Sequence, residues 1–199
     1  SLFPSVTVWT GRGDPMRAGS AFGLLGPMLR RAAGLLDEDA LGVKQQKLRA
    51  RVARHVASGE VQRVSDFIGE LVGVPFDGGA SVKLAAARQD PGLMTDQIRR
   101  AFADLVAAEV GAGPLLIVLE DAHWGDLPSV DCVDAALAGR EDAPLFAIGF
   151  ALPGLVDVFP RIGKERRPHV LLLHALRRKG SRELVRTFLG ERADAVTVD

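Results

Sequence analysis

Five consecutive aliphatic residues, Leu115-Leu116-Ile117-Val118-Leu119, follow the breaker pair Gly113-Pro114 and run directly into Glu120-Asp121. A short unbroken apolar run bounded by turn residues is the pattern of a strand buried on both faces, as in a parallel sheet. Ionised carboxylates are costly in a dry strand interior, so the two acids belong at the strand's C-terminal edge. In open α/β sheets that edge is where ligands bind.

The sequence before this strand predicts one further strand and a long helical stretch. Val6-Thr7-Val8-Trp9-Thr10 is β-branched and aromatic, and Gly11-Arg12-Gly13-Asp14-Pro15 closes it with turn residues. A strand and loop are therefore predicted over residues 1–15. Ser20 is placed to cap a helix whose stripe is Phe22, Leu25, Met28, Leu29, Ala32, Leu35 and Leu36. A second helix is expected over about residues 39–57, with Leu41, Leu48, Val52 and Val56 on one side. Its Lys44, Lys47, Arg49, Arg51 and Arg54 read as a solvated basic face. Residues 61–72 give a third helix, ended by Gly73-Val74-Pro75. After a loop at Gly78-Gly79, residues 81–89 give a short fourth helix that Pro91-Gly92 stops. Thr95 is the expected cap of a fifth, whose Ile98, Phe102, Leu105, Val106 and Val110 lead into the apolar strand. Residues 20–111 are thus expected to be helical, a stretch too long for a single crossover.

Beyond the acids, Ser129 is expected to cap a helix bearing Val130, Val133, Ala136 and Leu137, with Asp126 shaping the turn. Pro144-Leu145-Phe146-Ala147-Ile148-Gly149-Phe150 reads as another strand and residues 155–167 as a short helical connection. His169-Val170-Leu171-Leu172-Leu173 reads as a fourth strand, which makes residues 114–175 the main sheet-forming part. Ser181 is expected to cap a last helix over 180–192, with Leu184, Val185, Phe188 and Leu189 turned inward and Gly190 as its stop.

Composition narrows the functional classes. The 199 residues carry 25 basic and 25 acidic side chains, so no global charge steers the chain to nucleic acid or anionic lipid. The cluster Arg177-Arg178-Lys179 with Arg182 and Arg186 reads as a solvated helix end rather than a nucleic-acid contact. A single cysteine, Cys132, excludes an internal disulfide and fits a reducing cytoplasm. The longest mainly apolar run, residues 143–156, is broken by Pro153-Gly154 and falls short of the roughly 20 residues a membrane span needs. With no charged-then-apolar leader at the N-terminus, the expected location is cytoplasmic, with no membrane partner. The four histidines and Cys132 lack metal-ligand spacing. His123, Asp126 and Ser129 spell a hydrolase triad, but within one short loop and without a Gly-x-Ser-x-Gly elbow.

The acids continue as Ala122-His123-Trp124-Gly125-Asp126-Leu127-Pro128-Ser129. A hydrophobic strand ending in paired acids has the Walker B pattern of P-loop nucleotidases. The whole segment from Glu120 to Ser129 resembles the one that follows Walker B in bacterial AAA-like ATPases of the STAND class. These are signal-transduction ATPases of multidomain regulators, often beside a serine/threonine kinase or nucleotide cyclase domain. The loop Gly11-Arg12-Gly13-Asp14-Pro15 is similar to the one closing that core's second strand, and the helical stretch resembles its insertion. The resemblance implies an α/β fold: a partial P-loop NTPase-like parallel sheet of about four strands, with a helical insertion between the first two. It implies that Glu120 positions Mg²⁺ through water and so contributes to binding ATP, and that Asp121 is the catalytic acid polarising the hydrolytic water. His123 and Trp124 belong to the signature, with packing of the loop as the reading at least equal to a catalytic one.

The phosphate loop itself, Gly-x-x-x-x-Gly-Lys-Ser/Thr, does not occur in the chain, and the one Gly163-Lys164 pair is followed by Glu165. The resemblance therefore implies an incomplete ATPase core, with the first strand, phosphate loop and first helix upstream. Hydrogen bonds to charged groups contribute roughly 1.5–3 kcal/mol each, so losing four phosphate contacts costs about 6 kcal/mol, on the order of four decades of affinity. The chain alone is thus expected to be inactive, with no ATP or Mg²⁺ bound. Leu152 stands before Pro153 where the family usually has an arginine, which implies slow hydrolysis or a nucleotide-gated switch in the parent. The missing strand would lie between residues 145–150 and 169–173, so homo-association through exposed sheet edges is expected beside partnership with the upstream segment and other domains. The alternative is a non-catalytic interaction scaffold of a multidomain regulator, with residues 22–110 as its docking surface. A nucleic-acid contact through the basic helices is the third and weakest reading.

Overall fold

The computed structural model describes residues 5–77, 81–155 and 169–190. The chain divides into two compact units, Ser1–Arg166 and Arg167–Asp199. In the first, three parallel strands form one sheet in the order β1 (Thr7–Arg12), β2 (Leu115–Glu120), β3 (Leu145–Gly149). The α/β class is as expected, but among the described residues three strands form rather than the expected four. His169 to Leu173 is irregular, and Leu171, Leu172 and Leu173 are exposed. An apolar run becomes a strand only where a neighbour completes its ladder and covers a face, and no described strand pairs with this one.

Among the described residues five α-helices separate β1 from β2: α1 (Leu25–Ala32), α2 (Leu41–Ala53), α3 (Val61–Val72), α4 (Val82–Gln89) and α5 (Pro91–Ala112). The helix α6 (Leu127–Leu137) joins β2 to β3, and α7 (Arg178–Leu189) belongs to the second unit. Several caps differ from expectation. Pro91-Gly92 opens α5 rather than stopping α4. Proline needs no donor at a helix start, and the Asp90 carboxylate accepts the N–H groups of Gly92 and Leu93. Thr95 lies inside that helix, its Oγ1 donating to Pro91 O. Ser20 caps no helix, because a turn over residues 21–24 precedes α1. Ser81 does cap α4, accepting from Leu84 N. Ser181 sits in the first turn of α7, where Oγ donates to Arg177 O. The Gly78-Gly79 loop, the connection beyond residue 155 and the residues after 190 lie outside the described residues.

The core packs against one face of the sheet. Trp9, Leu115 and Ile117 meet Val106 and Val110 of α5 and Cys132, Val133 and Ala136 of α6 in one cluster. On the other face the cross-strand row Val8–Leu116–Phe146 leaves Val8 and Phe146 53% and 64% exposed. The expectation that β2 is buried on both faces is therefore corrected. Right-handed crossovers that advance in one direction across a sheet set their helices on the same face. The order β1-β2-β3 places α5 and α6 on one side and, among the described residues, leaves the other only partly covered.

The basic face expected on α2 is also not wholly solvated. Arg51 forms a bidentate pair with Glu109 of α5 (2.5 and 2.7 Å), and its Nε donates to Ala32 O of α1 (3.1 Å). Its guanidinium lies 5.7 Å from the centre of the Trp9 ring. The two side chains are only 10% and 4% exposed. Removing one partner of a buried pair strands the other charge at a cost of roughly 3–5 kcal/mol. Glu109→Ala should lose about that much in urea unfolding, and a loss below about 1 kcal/mol would mean that the pair holds nothing in place.

Asp66 of α3 is fully buried; Oδ1 accepts from Gln62 Nε2 at 2.6 Å and Oδ2 has no hydrogen-bond partner among the described residues. Burial pushes its carboxyl up from the ordinary value, against the opposing pull of Ser81, Gln62, Arg49 and Arg88. A carboxyl harder to ionise in the fold contributes its full share of stability at acidic pH. That share is lost as pH rises from the unfolded value through the raised folded one. Asp66→Asn should therefore be more stable than the parent at neutral pH, with the gap closing as pH falls. A variant that is less stable at neutral pH would contradict this.

Candidate carboxylate site

Glu120 is the last residue of β2 and is exposed; Asp121 follows at φ 49°, ψ 39°, in the left-handed region. Aspartate is among the few residues that tolerate this conformation. Here it turns the chain from the strand into a 3₁₀ turn over Ala122–Trp124, with Asp121 O accepting from Trp124 N at 2.9 Å. The ends of the neighbouring strands lace onto this corner. Gly13 N donates to Glu120 O (2.8 Å), Phe150 N to Leu119 O (2.8 Å) and Ala122 N to Phe150 O (2.9 Å). A Cβ on Gly13 would stand 2.2 Å from Asp121 O, so the approach of the two loops requires glycine there.

Arg12, opposite Glu120 in the β1–β2 register, turns its Nε to Asp121 Oδ2 at 3.0 Å. With the side chains 70% and 42% exposed, this pair contributes no more than about 1 kcal/mol. Asp14 faces its own loop and caps the 3₁₀ turn Pro15–Arg17 by accepting from Met16 N (2.9 Å). His123 and Trp124 tilt against each other with ring centres 5.0 Å apart, and His123 Nδ1 accepts from Leu152 N at 3.4 Å. That contact fastens the β2–α6 loop to the segment after β3.

Asp126 is the N-cap of α6 and is 3% exposed. Ser129, expected to cap this helix, is a donor instead: its N–H and its Oγ each reach Asp126 at 2.8 Å. Asp126 also accepts from Phe22 N (2.8 Å) and Leu24 N (3.3 Å). On the same helix Cys132 is buried, and its thiol is pushed up to about 12 by burial, then by the charges of Asp126 and Asp131. A thiol held neutral in this way is no nucleophile.

The structure thus brings Glu120, Asp121 and Arg12 to one rim at the C-terminal edge of the sheet and withdraws Asp126 and Ser129 into the interior. Among the described residues no three His, Cys, Asp or Glu side chains gather to hold a metal. Two adjacent carboxylates on an open rim suit a divalent cation held largely through its own water rather than by an all-protein cage. Grooves of about 400 and 300 Å³ lie on the helical region, the larger lined by Gln45, Gln46, Arg49 and Phe76 and the smaller by Glu60, Arg63 and Asp104; neither includes a rim residue. From the sequence alone Arg12 is a turn residue, whereas the structure makes it the last residue of β1. Pairing β1 parallel to β2, with Arg12 level with Glu120, is the signal that would have found it. No described helix is long and apolar enough to cross a membrane. Comparison with family models, with curated proteins and with solved structures gave no match.

Gly13→Ala forces the two loops apart. A loss of about 1–3 kcal/mol is expected from such overpacking, with faster amide exchange at Trp124. Unchanged stability and exchange would show that the corner is not built on this contact.

Proposed function

We propose that the chain is the carboxylate-bearing part of a nucleotide-binding α/β core, an ATP-dependent regulatory module of a bacterial, cytoplasmic signalling protein. The observation that carries this reading is where the acids sit relative to the sheet's unfinished side. Glu120 and Asp121 stand at the C-terminal rim of β2, and the outer edge of its neighbour β3 pairs with no described strand. The bonds Leu115 N to Pro144 O and Phe150 N to Leu119 O direct alternate residues of β3 toward β2. In a parallel ladder the groups of Ala147 and Gly149 then point outward. A strand added there, with its connection running the opposite way, would carry helices onto the bare Val8–Phe146 face. It would also create a switch point beside the acids, where such sheets bind ligands.

In this reading the phosphates are held by a loop from outside these 199 residues, since none of the required form occurs within them. Glu120 would hold Mg²⁺ through water, and the ion would supply charge neutralisation for the phosphates. Asp121 would orient the hydrolytic water, with Arg12 setting its carboxylate. Leu152 is a neutral side chain where phosphate charge would need a cation, which favours a slow, switch-like ATPase over rapid turnover. Copies of the isolated chain would associate through β3. The scaffold reading draws on a different observation: α1–α5 build much of the core themselves, through Leu25, Met28, Phe67, Ile68 and Phe102.

Calorimetric titration with MgATP separates the two. The chain alone is expected to bind no tighter than roughly millimolar. The natural polypeptide containing it together with its phosphate loop is expected to bind near micromolar, and Glu120→Gln is expected to weaken the dependence on Mg²⁺. Micromolar binding by the chain alone, or none by the longer polypeptide, would overturn the proposal.

A further inference from the structure

We infer that Asp126 is the positioning residue of the carboxylate rim, a buried group that ties the segment following β1 to the loop following β2. Capping α6 needs only a bond from Ser129 N. Asp126 does more: it also receives Phe22 N and Leu24 N, 104 and 102 residues away in the chain. A carboxylate has about four acceptor sites, and four donors reach this one.

The segment it grips has no slack. Phe22 adopts φ 59°, a left-handed conformation that costs a non-glycine residue energy and persists only where its surroundings enforce it. Leu24 is fully buried. A Cβ on Gly125 would stand 2.4 Å from Leu24 Cδ1, and one on Gly11 would stand 2.9 Å from Leu24 O. Residues 22–24 are therefore wedged between the last turn of β1 and the start of α6. Arg12 and Gly13, which meet Asp121 and Glu120, leave from the same end of β1. The helix α1 begins at Leu25, directly after the gripped residues. A movement of α1 must break these bonds or carry Asp126 with it, so the helical region and the acids are mechanically joined at this carboxylate. The importance of the rim rests on the nucleotide reading above; the positioning itself does not.

The test uses the 199-residue chain without nucleotide, read by NMR through amide exchange and the Arg12 Nε–Hε resonance. In Asp126→Asn one acceptor oxygen becomes an NH₂ that can only donate. Exchange at Phe22 and Leu24 should rise at least about tenfold, and the Arg12 resonance should move to the position of an unpaired arginine. The amides of β2 and α5 should stay protected. Ser129→Ala, which removes only the local hydroxyl, should leave Arg12 unchanged. Asp126→Ser keeps an oxygen for Ser129 N but cannot serve two loops; it replaces the Asn variant should that one not fold, with the same shift expected. An unmoved Arg12 resonance once Phe22 and Leu24 are freed, or an equal shift in Ser129→Ala, would overturn the inference. No nucleotide enters this measurement, so its failure and the failure of the MgATP titration are independent results.

Discussion

The structure turns on the buried pair of Arg51 and Glu109. Arg51 comes from α2, its carboxylate partner from α5, its carbonyl partner from α1 and the aromatic ring beneath it from β1. One side chain thus fastens three helices to the first strand. The helix carrying Glu109 runs through Gly113-Pro114 straight into β2, so the angle at which α5 lies fixes where Glu120 emerges. A buried ion pair is a poor source of net stability, because desolvation offsets most of its attraction. What it supplies here is direction: a planar guanidinium bonded to two elements at once admits few orientations, whereas a leucine in its place would tolerate many.

Once the helical region is seated, the sheet is half covered for a topological reason rather than a compositional one. Every large apolar side chain left in water forgoes about 1.5–3 kcal/mol, and Phe146 and Val8 are both more than half exposed. The helices α5 and α6 lie on one face because the two crossovers advance in the same direction. The second unit, taken by itself, has the same character: Leu171, Leu172 and Leu173 are exposed, and Phe188 of α7 is 81% exposed. Large exposed apolar surface of this kind is unusual for a chain that stays alone, and no described strand pairs with the outer edge of β3.

How far the sequence could be read follows from which forces are local. The strands β2 and β3 and the helices α3 and α5 were legible because an apolar period is a local signal. The acids at the edge of β2 were legible because charge does not enter a strand interior. The fourth strand was not, since Val170 to Leu173 has strand composition but a strand exists only with a neighbour. The choice between Asp126 and Ser129 as cap of α6 was equally closed to local reading: both residues suit the position, and Asp126 prevails because Phe22 and Leu24 bring it two more donors. Pro91 misled in another way, because proline both follows helix ends and begins helices, and Asp90 decided for the second. Arg51 looked like its basic neighbours because its burial depends on Glu109, 58 residues away.

These distinctions matter most in the seven residues from Glu120 to Asp126, which hold three acids with three different fates. Asp126 is buried and fully occupied by donors, so it can shape the loop but cannot meet a ligand. Asp121 is partly exposed and shares its carboxylate with Arg12 across two strand ends, so it is accessible yet oriented. Glu120 is exposed at the strand terminus, where a cation can reach it with its water in place. Three carboxylates are thus sorted into a fastener, an oriented group and an open group by how far each stands from the sheet's dry edge. That sorting, more than the presence of two adjacent acids, defines the rim: only the outer two carboxylates are accessible to solvent, and one of these is already oriented by Arg12.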